Sequence, residues 1–456
     1  MSSSADISLS WANGPQHGDA VQRVGLALVG LGVALFFGVM GGLGQGRPGL
    51  MMALIFGLTG VGAIIHVWRT YLTQPPGIRN DGAVTRSAMR GWTGMWGWVL
   101  AVALTGFYVI RYYFHGWAPM VRLDRMLDPV AGWFGYNDEK ATYWFSYTVL
   151  YTFAILIMGV RALIRYRHSR YQMIRTGVVM FAQTVLAFLV PFWMAGLNGP
   201  EFYPSYFWPL SQDTLMPDKV AGVVDAYGNA GRFVSAWSLG MILIATPILT
   251  YFLGKRWYCS WVCGCGGLAN TLGDPWRHLS SKKRSAWKIE RVSIYAVLVV
   301  ITIITIWLWI DRDSGVAQKA RHHYGFFIGA TFSGVLGVGL YPLLGTRVWC
   351  RFGCPMAAIM GLIQRRKSRF RITTNGSQCI SCGNCSKYCE MGIDVRWYAQ
   401  RGQDVVRASC VGCGLCSAVC PRGVLNLENG PEDTRNDQPI SLLAEMKSLP
   451  PVPGKK

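Results

Sequence analysis

Charged residues are spread so unevenly along the chain that it reads as alternating apolar and polar blocks. Eight long uncharged stretches lie at 24–46, 48–68, 91–110, 141–160, 176–200, 233–254, 292–310 and 322–346. A helix needs about 20 apolar residues to cross the roughly 30 Å of bilayer hydrocarbon, so each stretch predicts a transmembrane helix. The weakest is 48–68, which carries His66 near its end. Buried helices of a large soluble protein are the competing explanation, and eight such stretches in one chain disfavour it.

The loops test that pattern independently. Those at 69–90, 161–175 and 254–291 hold 17 Lys and Arg residues, while the alternating set near 47, 111–140, 201–232 and 311–321 holds 10. Acidic residues run the other way, three against ten. Basic loops stay on the cytoplasmic side, which predicts eight helices in the cell inner membrane with both termini cytoplasmic. Residues 1–20 are polar and lack a basic leader, so the first span is expected to act as an uncleaved anchor.

Composition sharpens the picture. Charged residues make up 15% of the chain and hydrophobic ones 51%, whereas ordinary soluble domains are about 25% charged. The net charge of +21 would suit a nucleic-acid binder, but its distribution over alternate loops assigns it to membrane topology, and no nucleic-acid partner is expected. The run at Gly44, Gly46 and Gly49 formally matches a dinucleotide fingerprint, yet it lies between two spans and follows no strand. The basic run 365–371 after the last span suits attraction to anionic lipid headgroups better than protein docking.

Eight of the 13 cysteines form two regular runs, Cys379, Cys382, Cys385, Cys389 and Cys410, Cys413, Cys416, Cys420, the second closing on Pro421. This spacing wraps backbone around an iron–sulfur cluster, and in two-cluster ferredoxins the fourth cysteine of each run ligates the other cluster. The expected sets are therefore Cys379, Cys382, Cys385 and Cys420 for one [4Fe–4S] cluster, and Cys389, Cys410, Cys413 and Cys416 for the second. Structural zinc sites are the alternative. In the first run Glu390 stands where the standard run has proline.

A repeat recurs 91 residues apart, GKRWYCSWVCGC at 254–265 and GTRVWCRFGCPM at 345–356. Gly254 aligns with Gly345, Arg256 with Arg347, Cys259 with Cys350 and Cys263 with Cys354. Two readings stand: a further metal or iron–sulfur site built from Cys259, Cys263, Cys350 and Cys354, or pairs that pack helix ends or form a reversible dithiol. If each C-x3-C is helical, its two thiols share a face. Cys265 is a possible substitute for Cys263, and Arg256 and Arg347 either stabilise thiolates or anchor helices at headgroups.

Two C-x3-C turns after membrane helices, followed by two ferredoxin runs with CEMGIDV after the first, resemble the NapH/NosR-type membrane polyferredoxins over about residues 175–430. They are also similar to CcoG-type oxidase assembly ferredoxins. The resemblance implies electron transfer between the quinone pool or a respiratory partner and another redox protein, as a subunit of a larger assembly more than a stand-alone enzyme. In the CcoG-like case it implies metal or thiol reduction during oxidase assembly. The usual turn is C-x3-C-P, which Cys354-Pro355 keeps and Cys263-Gly264-Cys265 does not. A third reading makes the clusters folding staples in a membrane scaffold.

Among the seven histidines, His115, His322 and His323 lie near the face opposite His66. A haem b or quinol site there is set against solvated interfacial histidines. Trp117, Asp124, Asp128 and Trp133 in the loop 111–140 read as an interfacial belt. The fold expected is a polytopic α-helical membrane protein of about eight helices with a C-terminal two-cluster ferredoxin-like α+β module. Its divisions are an N-terminal membrane region 1–172, a second membrane region with the C-x3-C turns at 173–364, the module at 365–430 and an extended tail at 431–456.

Overall fold

A computed structural model describes residues 19–73, 92–254, 256–366, 368–375 and 378–429. The polar start, most of the basic loop 69–90 and the tail expected at 431–456 lie outside the described residues.

Among the described residues seven helices are long and apolar enough to cross a membrane. They are α1 (Ala20–Gly41), α2 (Pro48–Leu72), α3 (Trp92–Tyr113), α4 (Tyr143–Arg165), α5 (Arg170–Gly196), α6 (Asn229–Phe252) and, after the short helices α7 (Trp257–Trp261) and α8 (Gly264–Asn270), α9 (Arg284–Ile310). Local chemistry sets their ends. Pro48 occupies the first turn of α2, where its missing N–H costs nothing. The Thr142 hydroxyl accepts from the Phe145 amide at 3.2 Å and so caps α4. Helix α9 shows why such a sequence needs lipid. Ile294, Ile301, Ile304 and Leu308 are buried, and the opposite face bears Val292, Val299, Ile303, Ile306 and Ile310, the last 81% exposed.

The stretch expected as an eighth span is helical but not uniformly so. The polar helix α10 (Gly315–Tyr324) runs into a π-wound segment, Gly325–Leu336, which carries most of its apolar residues. After it come α11 (Val348–Phe352) and α12 (Pro355–Arg366).

The C-terminal module is bracketed by β1 (Phe370–Thr374) and the returning strand, with α13 (Asn384–Lys387), α14 (Val395–Gln400) and α15 (Leu415–Ala418) between them, before β2 (Leu425–Asn429). The strands pair antiparallel, from Phe370 opposite Asn429 to Thr374 opposite Leu425. This pairing closes the module and brings its two cysteine runs into one unit. The module does not hang free. Trp257, Ile294, Trp349 and Met360 share one apolar core with Ile372, Met391, Val395 and Val411.

Buried charge pins the same junction. Asp274, in the 3-10 turn before α9, accepts from Arg161 and Arg165 of α4 at 2.7 Å each and from Arg277 at 2.8 Å, while the Tyr166 hydroxyl donates to it as well. Burial alone would raise the Asp274 pKa, but the three guanidinium groups hold it far below the usual carboxylate range. A carboxyl with a depressed folded-state pKa stabilises the fold above its unfolded pKa, and that contribution fades as pH falls toward the folded value. Asp274→Asn is therefore expected to cost about 3–5 kcal/mol at neutral pH. The gap from the native protein should narrow as the solution is acidified below the ordinary carboxylate pKa. Thermal unfolding in detergent, followed by tryptophan fluorescence across that range, checks this; a gap independent of pH would contradict it.

Candidate iron–sulfur centres and the paired cysteine turns

Each cysteine run begins in an irregular loop and enters a one-turn helix, α13 or α15, behind a glycine in the left-handed region, Gly383 at φ 78° and Gly414 at φ 64°. The two runs thus present their thiols in the same way. Cys379, Cys382, Cys385 and Cys420 line one small enclosed cavity, and Cys389, Cys410, Cys413 and Cys416 line another. The fourth cysteine of each run has crossed to the other's cavity. Burial pushes the Cys385 and Cys389 thiols up to about 12, so thiolates there need a bound metal to hold their charge.

Among the described residues no three His, Cys, Asp or Glu side chains converge tightly enough to hold a single metal ion. In a four-iron cluster each thiolate binds its own iron, so the sulfurs stand further apart than around one zinc. Two separate cavities with four thiols each fit iron–sulfur ligation.

The cavities differ in their surroundings. Both draw their walls from the module, the one lined by Cys379 including Arg396, Pro421 and Arg422 and the one lined by Cys389 including Glu390 and Met391. The one lined by Cys389 sits against the membrane helices. The Tyr171 hydroxyl of α5 donates to the Gly412 carbonyl at 2.9 Å, and Gln172 donates to the carbonyl of Cys413.

The repeated turns lie directly behind this inner cavity. Each C-x3-C breaks after its first cysteine's helix: α7 ends at Trp261 and α11 at Phe352, and Cys263 and Cys354 instead precede α8 and α12. The one-face helical geometry is therefore not formed. The repeat's glycine has a steric reason. Gly254 and Gly345 adopt φ +72° and +87°, and a Cβ would meet Phe370 Cβ at 1.7 Å or Ser280 Oγ at 2.4 Å. The repeat's arginine crosses to the other turn: Arg256 donates to the Cys350 carbonyl at 2.9 Å and Arg347 to the Cys259 carbonyl at 3.1 Å. Both arginines are fully buried, which removes the headgroup-anchor reading. Arg347 also lies 3.6 Å from Cys350 Sγ. Cys259, Cys263, Cys350 and Cys354 are all buried in the shared core, and a hydrogen bond with the Cys265 thiol lowers the pKa of Cys263.

Glu390 closes the site. It is 1% exposed and pairs with Arg277 at 2.8 Å, Arg347 at 3.0 Å and Arg175 at 3.5 Å. Burial would raise its pKa, but Arg277, Arg347 and Arg175 outweigh that and hold it at about 2. The departure from proline thus ties the inner cavity to α5, the Asp274 turn and the second cysteine turn. Its partners Arg175 and Arg277 carry no motif that would single them out.

A cavity of about 600 Å3 opens among the membrane helices. Tyr112, Tyr147, Tyr151, Gln183 and Cys265 are in its wall, Glu201 and Asp213 line it too, and among the described residues no Lys or Arg does. Tyr151 donates to Gln183 at 3.0 Å. None of the described histidines lines it: His115 stacks on Tyr143 with ring centres 4.9 Å apart, and His322 packs against His323. Polar side chains inside the apolar stretches were the available signal for this cavity.

Comparison with known proteins bears on the cysteines. A 4Fe-4S dicluster domain matches residues 372–427, and a 4Fe-4S binding domain matches 236–286 and 327–373, segments that contain the two C-x3-C turns. The ferredoxin-type protein NapH of Escherichia coli is 27% identical over 219 residues, 45% of this chain and 74% of NapH. This likeness and the two domain matches support the NapH-type polyferredoxin family. YccM of Escherichia coli, described as a putative electron transport protein, is 27% identical over 178 residues, 36% of this chain and 50% of YccM. The methylamine utilization ferredoxin-type protein MauN of Methylobacillus flagellatus is 28% identical over 153 residues, 32% of this chain and 53% of MauN. The chain therefore spans about half the length of YccM and of MauN. No solved structure matches it. These findings support an iron–sulfur electron-transfer protein.

Replacing Glu390 by Gln leaves three buried guanidinium groups short of a counter-charge, which is expected to cost about 3–5 kcal/mol. Amide exchange should then quicken in β1, β2 and α15 ahead of α4 and α9. Unchanged protection of the module would show that the ion pairs do not hold it.

Proposed function

We propose that the protein is a membrane-embedded electron carrier that links a quinol donor to a further redox protein, as a subunit of a respiratory assembly. The observation that carries this reading is the partition of eight cysteines into two separate cavities with four thiols each, one of them hydrogen-bonded to α5. Cys379, Cys382, Cys385 and Cys420 would hold one [4Fe–4S] cluster and Cys389, Cys410, Cys413 and Cys416 the other. Bound there, such clusters supply one-electron transfer over a wide range of potentials. Cys259, Cys263, Cys350 and Cys354 are the ligands we assign to a third centre, supported by the domain match over both turns. The work of this chain's own residues is to exclude water from the inner thiols and to balance charge beside them through Glu390, Arg175, Arg277 and Arg347.

The cavity of about 600 Å3 supports quinol as donor. Its volume suits a ring-sized ligand. Aromatic walls receive the ring, Gln183 and the tyrosine hydroxyls match its oxygens, and the lack of lysine or arginine among the described lining residues disfavours anions. Cys265 in the wall shares a hydrogen bond with Cys263, so a quinol bound here would lie next to the paired turns. For topology we propose that Gly315–Leu336 and the residues after it complete an eighth crossing, with the module and both termini in the cytoplasm of the inner membrane. The division at 172, 364 and 430 is the domain organisation we favour.

Anaerobically purified protein is expected to give paramagnetic iron–sulfur signals on reduction with dithionite, and a short-chain quinol should elicit part of them. Ala187→Trp, which fills the cavity from its wall, should abolish the quinol response and leave the dithionite response intact. A native protein indifferent to quinol would overturn the donor assignment alone. Silence toward dithionite as well would overturn the electron-carrier reading.

A further inference from the structure

The inner thiol cavity adjoins α5 through the hydrogen bonds of Tyr171 and Gln172, whereas the rim of the outer one is exposed and has a definite character. Ile380, between two lining cysteines, is 52% exposed. Arg422 is exposed and Arg396 half-buried, and both line the cavity. Helix α14 extends this surface. Gln400 donates to Ser381 on the rim at 2.8 Å, Trp397 lies three residues before it on the same helix face, and Arg401 caps the helix. The guanidinium of Arg401 stacks over the Trp397 ring at 4.1 Å, which leaves a flat, cationic and apolar patch beside the cavity.

The module's carboxylates do not neutralise it. Among the described residues from 378 to 429 they are Glu390, Asp394, Asp404 and Glu428, and none lines the outer cavity. Glu390 is sealed among arginines. Asp394 accepts from the Ser386 hydroxyl at 2.7 Å, Asp404 from the Thr374 amide at 3.1 Å and Glu428 from the Thr373 hydroxyl at 2.7 Å. Internal hydrogen bonds thus engage the negative charge, while the positive charge faces outward around an exposed isoleucine and tryptophan. Aromatic and arginine side chains about an apolar centre are the composition of an interface, and single-sign charge steers an oppositely charged protein toward it.

We propose that Ile380, Arg396, Trp397, Arg401 and Arg422 form the docking surface for an acidic protein that carries a one-electron redox centre. The proposal rests on the electron-carrier reading but makes a separate claim, that the partner meets the protein at the outer thiol cavity and is held there by charge.

Fluorescently labelled acidic flavodoxin is the probe, and its binding to the intact protein in neutral-lipid nanodiscs is read by anisotropy. Affinity should fall as ionic strength rises. The double variant Arg401→Glu, Arg422→Glu should bind about tenfold or more weakly, Ile380→Ser should also weaken binding, and Lys219→Glu, remote from the rim, should not. Unchanged affinity in the double variant overturns the proposal. So does a variant that loses association with anionic lipid vesicles while flavodoxin binding persists, since the patch then serves the membrane surface. Reduction by flavodoxin hydroquinone is followed separately. Salt-sensitive, rim-dependent binding without any reduction of the native protein keeps the surface and overturns the electron-carrier reading; reduction with undiminished affinity in the variant does the reverse.

Discussion

The structure depends on one buried carboxylate. Glu390 lies beside a thiol of the inner cavity and holds Arg175 from α5, Arg277 from the turn before α9 and Arg347 from the second cysteine turn. Taking these charges out of water is expensive, and only their mutual pairing offsets the cost. The arrangement therefore tolerates one relative placement of module and membrane helices far better than any other. Arg277 extends the constraint, since it also bonds to Asp274, where two arginines of α4 meet. A continuous chain of buried charge thus runs from a membrane helix to the inner thiol cavity.

That constraint gives the site an order in space. Cys265 lines the cavity among the membrane helices and shares a hydrogen bond with Cys263. The two cysteine turns exchange arginines across their shared core, and Arg347 reaches both Cys350 and Glu390. Glu390 lines the inner module cavity, and Cys385, which shares the apolar core with the paired turns, lines the outer one. The sequence of contacts leads from the membrane interior to the exposed surface of the module without leaving buried protein, as low-dielectric shielding of redox centres requires.

How much of this was legible follows from the range over which each feature is encoded. Transmembrane helices are written in contiguous apolar residues, so the stretches at 24–46 and 292–310 announce themselves without tertiary context, and helices Ala20–Gly41 and Arg284–Ile310 contain most of them. The cysteine runs are legible for the same reason, and the crossed fourth cysteine follows from their spacing. The eighth stretch was harder, because Gly325–Leu336 winds as a π-helix that apolar content does not signal. The cysteine turns were half legible: the repeat aligned Arg256 with Arg347, but each arginine's partner is the backbone of the other copy, far away along the chain. Arg175 looked like one more basic residue of a loop, and only packing shows it 2% exposed. The tyrosine and glutamine cavity needs several helices to assemble, so polar side chains within the apolar stretches signal it but do not show which of them meet.

The central claim is that the thiol cavities hold iron–sulfur clusters in a protein anchored by its membrane helices. Iron and acid-labile sulfide, assayed per chain on intact protein purified without oxygen, test it most directly. The account predicts about eight of each, or about twelve if the paired turns are loaded as well. Zinc in place of iron, or iron without sulfide, would contradict it.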